Sequence, residues 1–375
     1  MGQSPIAADT RAVLAYDGKI SQLYGIFLLN LLLTIITLGI YRFWAVTRIR
    51  RYLWSHMRFE GTRLAYTGRG KELFFGFLLA MLILILALAG AGIVAVGLAK
   101  IHPFLAAIPI ALAYIGVLTL FGAAHFSAQR YRLSRTEWRG IRGGMEGSAL
   151  RYGLKWLVYV LLVIVTLYQA IPWMQVGLAC RRINASRFGS AVFRCDAAAR
   201  RLYPIFLGMF LGSLALLALM LAIVAGLEAW LFVRFFVDLF QGTLPAHEIE
   251  SAARVLVIGI VAYLIVSGLL ATWYYASLVR LILGGTTATV AGRDTLRFSS
   301  GVTAGGLFWL VVSNTVIAIV TLGFGLPIVL HRYAGYVART TYMSGRFDAA
   351  ALMQSTLARP SVGEGFLQAL DPGIV

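Results

Sequence analysis

The amino-acid sequence predicts an all-α polytopic membrane protein, and three features carry that prediction. The chain has 375 residues, of which 60% are hydrophobic and 13% are charged, whereas about a quarter of the residues in soluble domains are charged. Apolar runs long enough to cross the roughly 30 Å hydrocarbon core of a bilayer recur along the chain. The segments between these runs are rich in arginine, which is typical of the cytoplasmic loops of membrane proteins.

The formal net charge of +18 raises the question of a nucleic-acid partner, and the distribution of the charge argues against one. The arginines stand in short segments between apolar runs, where basic side chains orient a protein in the membrane and attract anionic lipid. We therefore expect the partner of this basic surface to be a bilayer with anionic headgroups and not a nucleic acid.

Four of the apolar runs, at 73–99, 104–124, 203–233 and 255–282, predict helices that cross the membrane. Three further segments, at 24–44, 156–173 and 306–330, are shorter or contain Gly39, Pro172 or Gly323, where a helix can break. Two of these three have basic segments on both sides, so a single crossing would leave one basic flank outside. Either the three are re-entrant segments that break and return to the same side, or the chain crosses seven times and one basic loop violates the charge rule.

An internal repeat accompanies these broken segments. Thr37-Leu38 recurs at Thr166-Leu167 and at Thr321-Leu322, and each pair precedes a basic segment. We interpret the chain as one broken segment plus a transmembrane hairpin, repeated. The predicted boundaries are repeat 1 at 1–127, repeat 2 at 128–290, a truncated repeat 3 at 291–346 and a cytoplasmic tail at 347–375.

The basic segments also predict small cytoplasmic β-hairpins. In the first of them, Glu60-Gly61 separates two short runs that alternate apolar and polar residues. Cys180 and Cys195 fall in another basic segment, so we expect no structural disulfide between them. The sequence contains neither the residue spacing of a metal site nor a catalytic constellation. It therefore predicts no cofactor and no enzymatic activity.

Three polar residues lie at matching positions in the three broken segments: Asn30, Tyr159 and Asn314. Polar groups inside a membrane usually face the protein interior, so these side chains could line a path for a polar solute, together with Thr37, Thr166 and Thr321. The alternative is structural. The amides and the phenol would bond neighbouring helices, and the threonine hydroxyls would bond backbone carbonyls at each break.

Six arginines close to the broken segments are candidate contacts for anionic lipid headgroups: Arg48, Arg50, Arg51, Arg181, Arg182 and Arg332. The alternative is that they and the neighbouring aromatic rings only anchor the protein at the interface between membrane and water.

Two stretches carry a resemblance to a known family. Residues 28–80 contain Thr37-Leu38-Gly39, Trp44, Gly61 and Tyr66, and residues 131–149 contain YRLSRTEWRGIRGG. Both stretches resemble the YjgN-like family of multi-pass inner-membrane proteins of Gram-negative bacteria. The resemblance implies a bacterial inner-membrane location and no particular activity. Together with the charge distribution, it predicts that the basic loops and the C-terminus are cytoplasmic.

The sequence leaves two functions open. The first is transport or channelling of a small polar or anionic solute or of a lipid, since repeats and broken helices often surround a transport site. The second is a non-catalytic membrane scaffold that binds anionic lipid or protein partners through its basic face. A transporter should have a polar cavity where Asn30, Tyr159 and Asn314 converge, whereas a scaffold should have these side chains packed.

Overall fold

The computed structural model of the protein describes residues 11–241, 246–290 and 294–357. Within these residues the helices are α1 (Ile20–Ile36), α2 (Arg42–Ser55), α3 (Gly70–Ala99), α4 (Ala107–Ser134), α5 (Ala149–Val165), α6 (Ile171–Ala185), α7 (Tyr203–Gln241), α8 (Ala246–Gly284), α9 (Ala304–Val320) and α10 (Leu326–Thr340). The strands are β1 (Arg11–Ala12), β2 (Leu14–Tyr16), β3 (Met57–Phe59), β4 (Thr62–Tyr66), β5 (Thr136–Trp138), β6 (Ile141–Met145), β7 (Ser186–Phe188), β8 (Ala191–Cys195), β9 (Thr286–Val290), β10 (Asp294–Ser300) and β11 (Thr341–Ser344).

Four helical stretches in the described part of the chain are long and apolar enough to cross a membrane: Gly70–Ala99, Pro103–Ser134, Tyr203–Arg234 and Ala253–Gly284. They coincide with the four predicted spans. Large apolar side chains such as Leu86 and Ile93 stay exposed along them, and such exposure is stable only when lipid covers it.

The predicted hairpin around Glu60-Gly61 is confirmed as β3–β4. The all-α fold class is corrected, because the strands do not form isolated hairpins but one antiparallel sheet. Its order is β1-β11-β10-β9-β8-β7-β6-β5-β4-β3-β2. Two hairpins turn through pairs of residues with positive φ, Glu60-Gly61 and Arg139-Gly140, which suits the twist of paired strands. Between hairpins, strands far apart in the chain pair, as Leu64 does with Trp138. This long-range pairing is invisible in the local sequence pattern.

The sheet closes into a barrel at Val13. The two edge strands of the sheet, β1 and β2, are consecutive and separated only by Val13. β1 pairs with β11 and β2 pairs with β3, so a single bent stretch of chain joins the two edges. Closure removes the free edges that would otherwise invite pairing with another chain.

Every helical excursion begins and ends on one rim of this barrel. The chain leaves β2 for α1–α2 and returns to β3, and β2 and β3 pair with each other. In the same way α3–α4 connects β4 with β5, α5–α6 connects β6 with β7, α7–α8 connects β8 with β9, and α9–α10 connects β10 with β11. We call this the helix rim. The opposite turn rim carries the hairpin turns.

The barrel interior is the main hydrophobic core. Trp138 is 0% exposed and Met343 is 1% exposed, and they pack with buried residues of β8, β9 and β10. The chain after β11 crosses the turn rim as an irregular segment, residues 345–357, which we call the C-terminal strap. It brings Phe347 and Leu352 into the same core. These residues fall in the predicted tail at 347–375, of which 358–375 lie outside the described residues.

The expectation of reduced cysteines is also wrong for this structure. Cys180 on α6 and Cys195 on β8 form a disulfide, with Cα atoms 5.0 Å apart. The physical reason is the antiparallel return of the chain: α6 leads into β7, and β8 runs back beside it. The side chain of Asn184 tightens this return, because its Oδ1 accepts a hydrogen bond from the backbone N of Cys195 at 2.6 Å.

The described chain divides into two compact units. The first comprises the described residues of 1–198, 282–301 and 314–375 and contains the whole barrel. The second comprises 199–281 and 302–313, and in it small residues of α7 face large side chains of α8. A Cβ placed on Gly212 would lie 3.1 Å from Leu270, so glycine there permits close helix packing. The boundaries of these units differ from the predicted repeat boundaries, which remain a prediction.

Candidate functional site

The three Thr-Leu pairs form three corners with the same hydrogen bonds. At the first corner Thr37 Oγ1 donates to Leu33 O (2.7 Å) and accepts from Tyr41 N (2.9 Å). The same two bonds form at Thr166, with Leu162 O and Ala170 N, and at Thr321, with Ile317 O and Gly325 N. Each hydroxyl therefore bridges the end of one helix and the start of the next.

The leucine after each threonine points away from the protein. Leu38, Leu167 and Leu322 have positive φ and are 93%, 75% and 88% exposed. The residue that follows bonds back to the helix in a Schellman-type ending, as Gly39 N does to Thr34 O (2.8 Å). An apolar side chain at the tip of each corner suits contact with lipid better than contact with water.

Two of the three proposed polar lining residues, Asn30 and Tyr159, contact the second helix of their own hairpin. Asn30 is 4% exposed, and its Nδ2 lies 3.4 Å from Ala45 O on α2. The Tyr159 hydroxyl lies against Gly177 of α6, where an added Cβ would approach it to 2.5 Å. The Oδ1 atoms of Asn30 and Asn314 are buried without a hydrogen-bond partner in the structure. The contacts of Asn30 and Tyr159 fit the structural alternative better than a shared solute path.

The six arginines proposed as lipid contacts differ in their surroundings. Arg48, Arg51 and Arg181 are exposed, whereas Arg50 is 1% exposed, which leaves no surface for a headgroup to contact. Arg182 Nη1 lies 2.6 Å from His125 Nε2, and Arg332 is half-buried. Only part of the set is therefore available to a lipid.

Arg181 lines a pocket of about 720 Å³ at the start of α5, which we call the basic pocket. Arg151 and Lys155, one helical turn apart on α5, line it too. In the described part of the chain these three cations form no ion pair. Glu146 also lines the pocket, and its carboxylate is bound at 2.9 Å by Arg187. The pocket therefore presents a net positive charge, because its one carboxylate is already paired with Arg187.

The remaining wall of the basic pocket is apolar or weakly polar. Leu154 and Val158 continue the face of α5 that carries Arg151 and Lys155, and they are 49% and 53% exposed. Ser148 caps α5, because its Oγ accepts from Arg151 N at 3.4 Å. The helix start adds a partial positive charge to that of the side chains.

Tyr152 forms the floor of this region and is 5% exposed. Burial raises the pKa of its phenol, and the nearby Arg182 and Arg181 act in the opposite direction. The hydroxyl is therefore protonated at neutral pH.

The sequence pattern pointed to Arg181 but missed Arg151 and Lys155. Their spacing of four residues places them on one face of a helix, and the apolar Leu154 and Val158 share that face. The sequence feature that could have predicted these two residues is this amphipathic pattern. No local sequence pattern predicts that α6 brings Arg181 to the same place.

Known proteins that are similar to this chain indicate its family. A family model described as "Bacterial protein of unknown function (DUF898)" matches residues 11–369. The chain is 26% identical to the inner membrane protein YjgN of Salmonella typhimurium over 376 residues, which is 90% of each chain. It is 41% identical over 63 residues to the inner membrane protein YjgN of Escherichia coli O157:H7, which is 17% of this chain and 16% of that protein. No solved structure matches.

These matches confirm the resemblance to the YjgN-like family. The family model begins at β1 and extends past the strap, so it covers the barrel and all the helices together. The apolar helices and the names of the relatives agree on the membrane location. The chain is a multi-pass inner-membrane protein that belongs to the DUF898 family.

Proposed function

We propose that this protein is a non-catalytic membrane scaffold that binds anionic phospholipids through the basic pocket. The observation that carries the proposal is the combination of Arg151, Lys155 and Arg181, none of them ion-paired among the described residues, with an exposed apolar face on α5. A phospholipid has the complementary chemistry, because a phosphate would meet the cations while an acyl chain would lie along Leu154 and Val158.

The barrel topology supports a depth for the pocket relative to the bilayer. Because β6 and β7 pair, α5–α6 starts and ends on the helix rim, and it must cross the membrane an even number of times. α5 has 17 residues, or about 26 Å of helix at about 1.5 Å per residue, which is shorter than the roughly 30 Å hydrocarbon core. We therefore propose that the three corners are re-entrant and that the start of α5 lies at headgroup depth.

The three corners also support the proposed repeat. Their shared hydrogen bonds and exposed leucines give each of the units 1–127, 128–290 and 291–346 one re-entrant hairpin that leads into a strand of the barrel. In this proposal the three re-entrant hairpins anchor the barrel in one leaflet of the bilayer. The long hairpins α3–α4 and α7–α8 cross the whole bilayer.

Charge and cysteine chemistry suggest opposite compartments for the barrel. Its strands come from the basic segments that the charge rule assigns to the cytoplasm, whereas a disulfide is rare there. We propose the cytoplasmic orientation, because the charge evidence comes from several independent segments and the disulfide is a single bond.

Solute transport is the weaker of the two functions. It requires Asn30, Tyr159 and Asn314 to converge on a polar cavity, but Asn30 and Tyr159 contact the second helices of two different hairpins. A scaffold accounts for these contacts as helix packing.

Lipid binding can be tested on the purified full chain. The variant Arg151→Gln/Lys155→Gln/Arg181→Gln removes the three cations of the pocket. Each cation near an anionic surface contributes about 1 kcal/mol, so the dissociation constant for phosphatidylglycerol should rise by on the order of a hundredfold. Titration with a short-chain phosphatidylglycerol measures it, and phosphatidylcholine of the same chain length is the reference lipid.

The matched control is Arg194→Gln/Arg297→Gln/Arg346→Gln, which removes the same net charge from exposed positions on the barrel and strap. Its affinity for phosphatidylglycerol should remain close to that of the unsubstituted protein. Equal weakening in both triple variants would mean that only overall charge matters, and the pocket would lose its assignment.

A further inference from the structure

The barrel interior contains a partly open apolar cavity of about 200 Å³ that no part of the proposed lipid site uses. Six aromatic rings contribute to its wall: Phe59, Trp138, Phe188, Phe193, Phe298 and Phe347. Two small side chains, Ala191 on β8 and Ala288 on β9, also line the cavity. The cavity lies in the same hydrophobic core that holds the barrel together.

The polar groups of the residues that line the cavity form hydrogen bonds with other groups of the protein. Thr136 Oγ1 accepts from Trp54 Nε1 at 2.9 Å and donates to Arg132 O at 2.8 Å. Trp138 Nε1 donates to Phe59 O at 3.0 Å. A buried water needs two to four polar partners, and these residues have no free group to offer one. The cavity is therefore suited to an apolar occupant.

The cavity is larger than the voids that ordinary packing defects leave in a protein interior. Protein interiors contain few voids larger than a water molecule, and an engineered apolar cavity of roughly 150 Å³ in another protein binds benzene. A cavity of about 200 Å³ accepts an apolar group of that size or somewhat larger.

The C-terminal strap covers this cavity at the turn rim. Phe347 and Leu352 of the strap form part of the cavity wall. Several hydrogen bonds to the hairpins hold the strap, among them Ser190 N to Met353 O (3.0 Å), Met353 N to Ser190 Oγ (3.1 Å) and Gln354 Nε2 to Gly140 O (2.7 Å). The strap joins no strand ladder, so its separation from the rim would break these bonds and the packing of Phe347 and Leu352 but no strand pair of the barrel.

We propose that the barrel of this protein is a binding site for an alkyl chain, which enters beneath the C-terminal strap and lies among the six aromatic rings. The chemistry is that of a saturated hydrocarbon, either a free short-chain compound or the end of a lipid tail. The site is separate from the basic pocket and does not depend on the proposed function.

Photolabelling of the full chain in phosphatidylcholine nanodiscs tests this site. The probe is a short alkyl diazirine, and labelled residues are located by mass spectrometry of peptides. We expect label on peptides from β8 to β10 and from the strap, in addition to the lipid-facing α3 and α4, which act as an internal reference. A barrel without label beside labelled α3 and α4 would overturn the proposal.

A substitution that fills the cavity should abolish labelling of the barrel peptides and leave labelling of α3 and α4 unchanged. In Ala288→Leu the larger side chain occupies the open volume, so label on the barrel peptides should be lost while label on α3 and α4 persists. Ala65→Leu is the matched control, because Ala65 is exposed on β4, and it should keep the barrel label. Persistent barrel label in a folded Ala288→Leu protein would contradict the proposal.

Two further measurements keep the test decisive. If Ala288→Leu does not fold, as judged by gel filtration, Ala191→Leu fills the same cavity from β8. Competition on the protein in detergent then tests the two sources of the chain: octane alone should displace the probe if the site takes only free hydrocarbons, whereas added long-chain phospholipid should also displace it if the site accepts a lipid tail. Displacement by neither would overturn the proposal.

Discussion

A single hydroxyl stabilises each of the three corners. Thr321 Oγ1 donates to Ile317 O at 2.6 Å and accepts from Gly325 N at 2.7 Å. The carbonyl of Ile317 also receives Thr321 N, so it keeps a partner without the hydroxyl. The buried Gly325 N–H is the group that depends on the threonine, because the Thr321 hydroxyl accepts its hydrogen bond.

The variant Thr321→Val tests this role with almost no change in shape. It leaves the Gly325 N–H unsatisfied, and an unsatisfied buried donor costs about 1–3 kcal/mol. We expect a lower midpoint of thermal unfolding, measured by circular dichroism in detergent. Thr315→Val on the same helix is the control, since the Thr315 hydroxyl is exposed and has no hydrogen bond in the described structure. If both variants unfold at the same temperature, the corner hydroxyl is dispensable.

At the scale of elements, glycine determines how α5 docks on α4. A Cβ on Gly153 of α5 would lie 2.3 Å from Thr119 O, and one on Gly122 of α4 would lie 2.6 Å from the Trp156 side chain. Two small residues thus allow the two helix backbones to approach closely. This contact holds α5, and with it Arg151 and Lys155, beside α6 and Arg181.

Gly153→Ala should therefore affect both stability and lipid binding. The added methyl group meets a backbone carbonyl that cannot move alone, and overpacking of this kind costs about 1–3 kcal/mol. We expect a lower unfolding midpoint and weaker binding of phosphatidylglycerol, because α5 must shift. Gly116→Ala, on α4 with nothing within 4 Å of the added Cβ, is the control and should leave both unchanged or raise stability slightly. Lower stability with unchanged lipid affinity would show that this helix contact does not position the basic pocket.

At the scale of the whole molecule, the closed barrel explains the charge pattern that the sequence presented as a conflict. Each helical excursion starts and ends on the helix rim, since it connects two strands that pair. Every excursion therefore returns to the side from which it began. Basic flanks on both sides of a broken segment are then expected and need no exception to the charge rule.

The parts of this fold that were predictable from the sequence are the local ones. The four spans follow from long apolar runs, and the turn at Glu60-Gly61 follows from residue type. The barrel was not predictable, because its closure depends on pairs such as Leu64 with Trp138 and Arg11 with Met343, which no periodicity links. For the same reason Arg181 was predicted without Arg151 and Lys155, because only the packing of α5 beside α6 brings the three cations to one pocket.

The orientation and depth of the protein yield the last prediction, which uses single cysteines in a Cys180→Ser/Cys195→Ser background. Lys100→Cys lies between α3 and α4, Arg194→Cys lies on the barrel, and Leu38→Cys lies at the first corner. In intact cells with a permeabilised outer membrane, a membrane-impermeant maleimide should label only Lys100→Cys. In inside-out vesicles it should label only Arg194→Cys. Leu38→Cys should remain unlabelled from both sides, because a re-entrant corner ends within the bilayer, and all three should label after denaturation. Labelling of Leu38→Cys in intact cells would show that the first segment crosses the membrane. Labelling of Arg194→Cys in intact cells would place the barrel and the Cys180–Cys195 disulfide in the oxidising compartment.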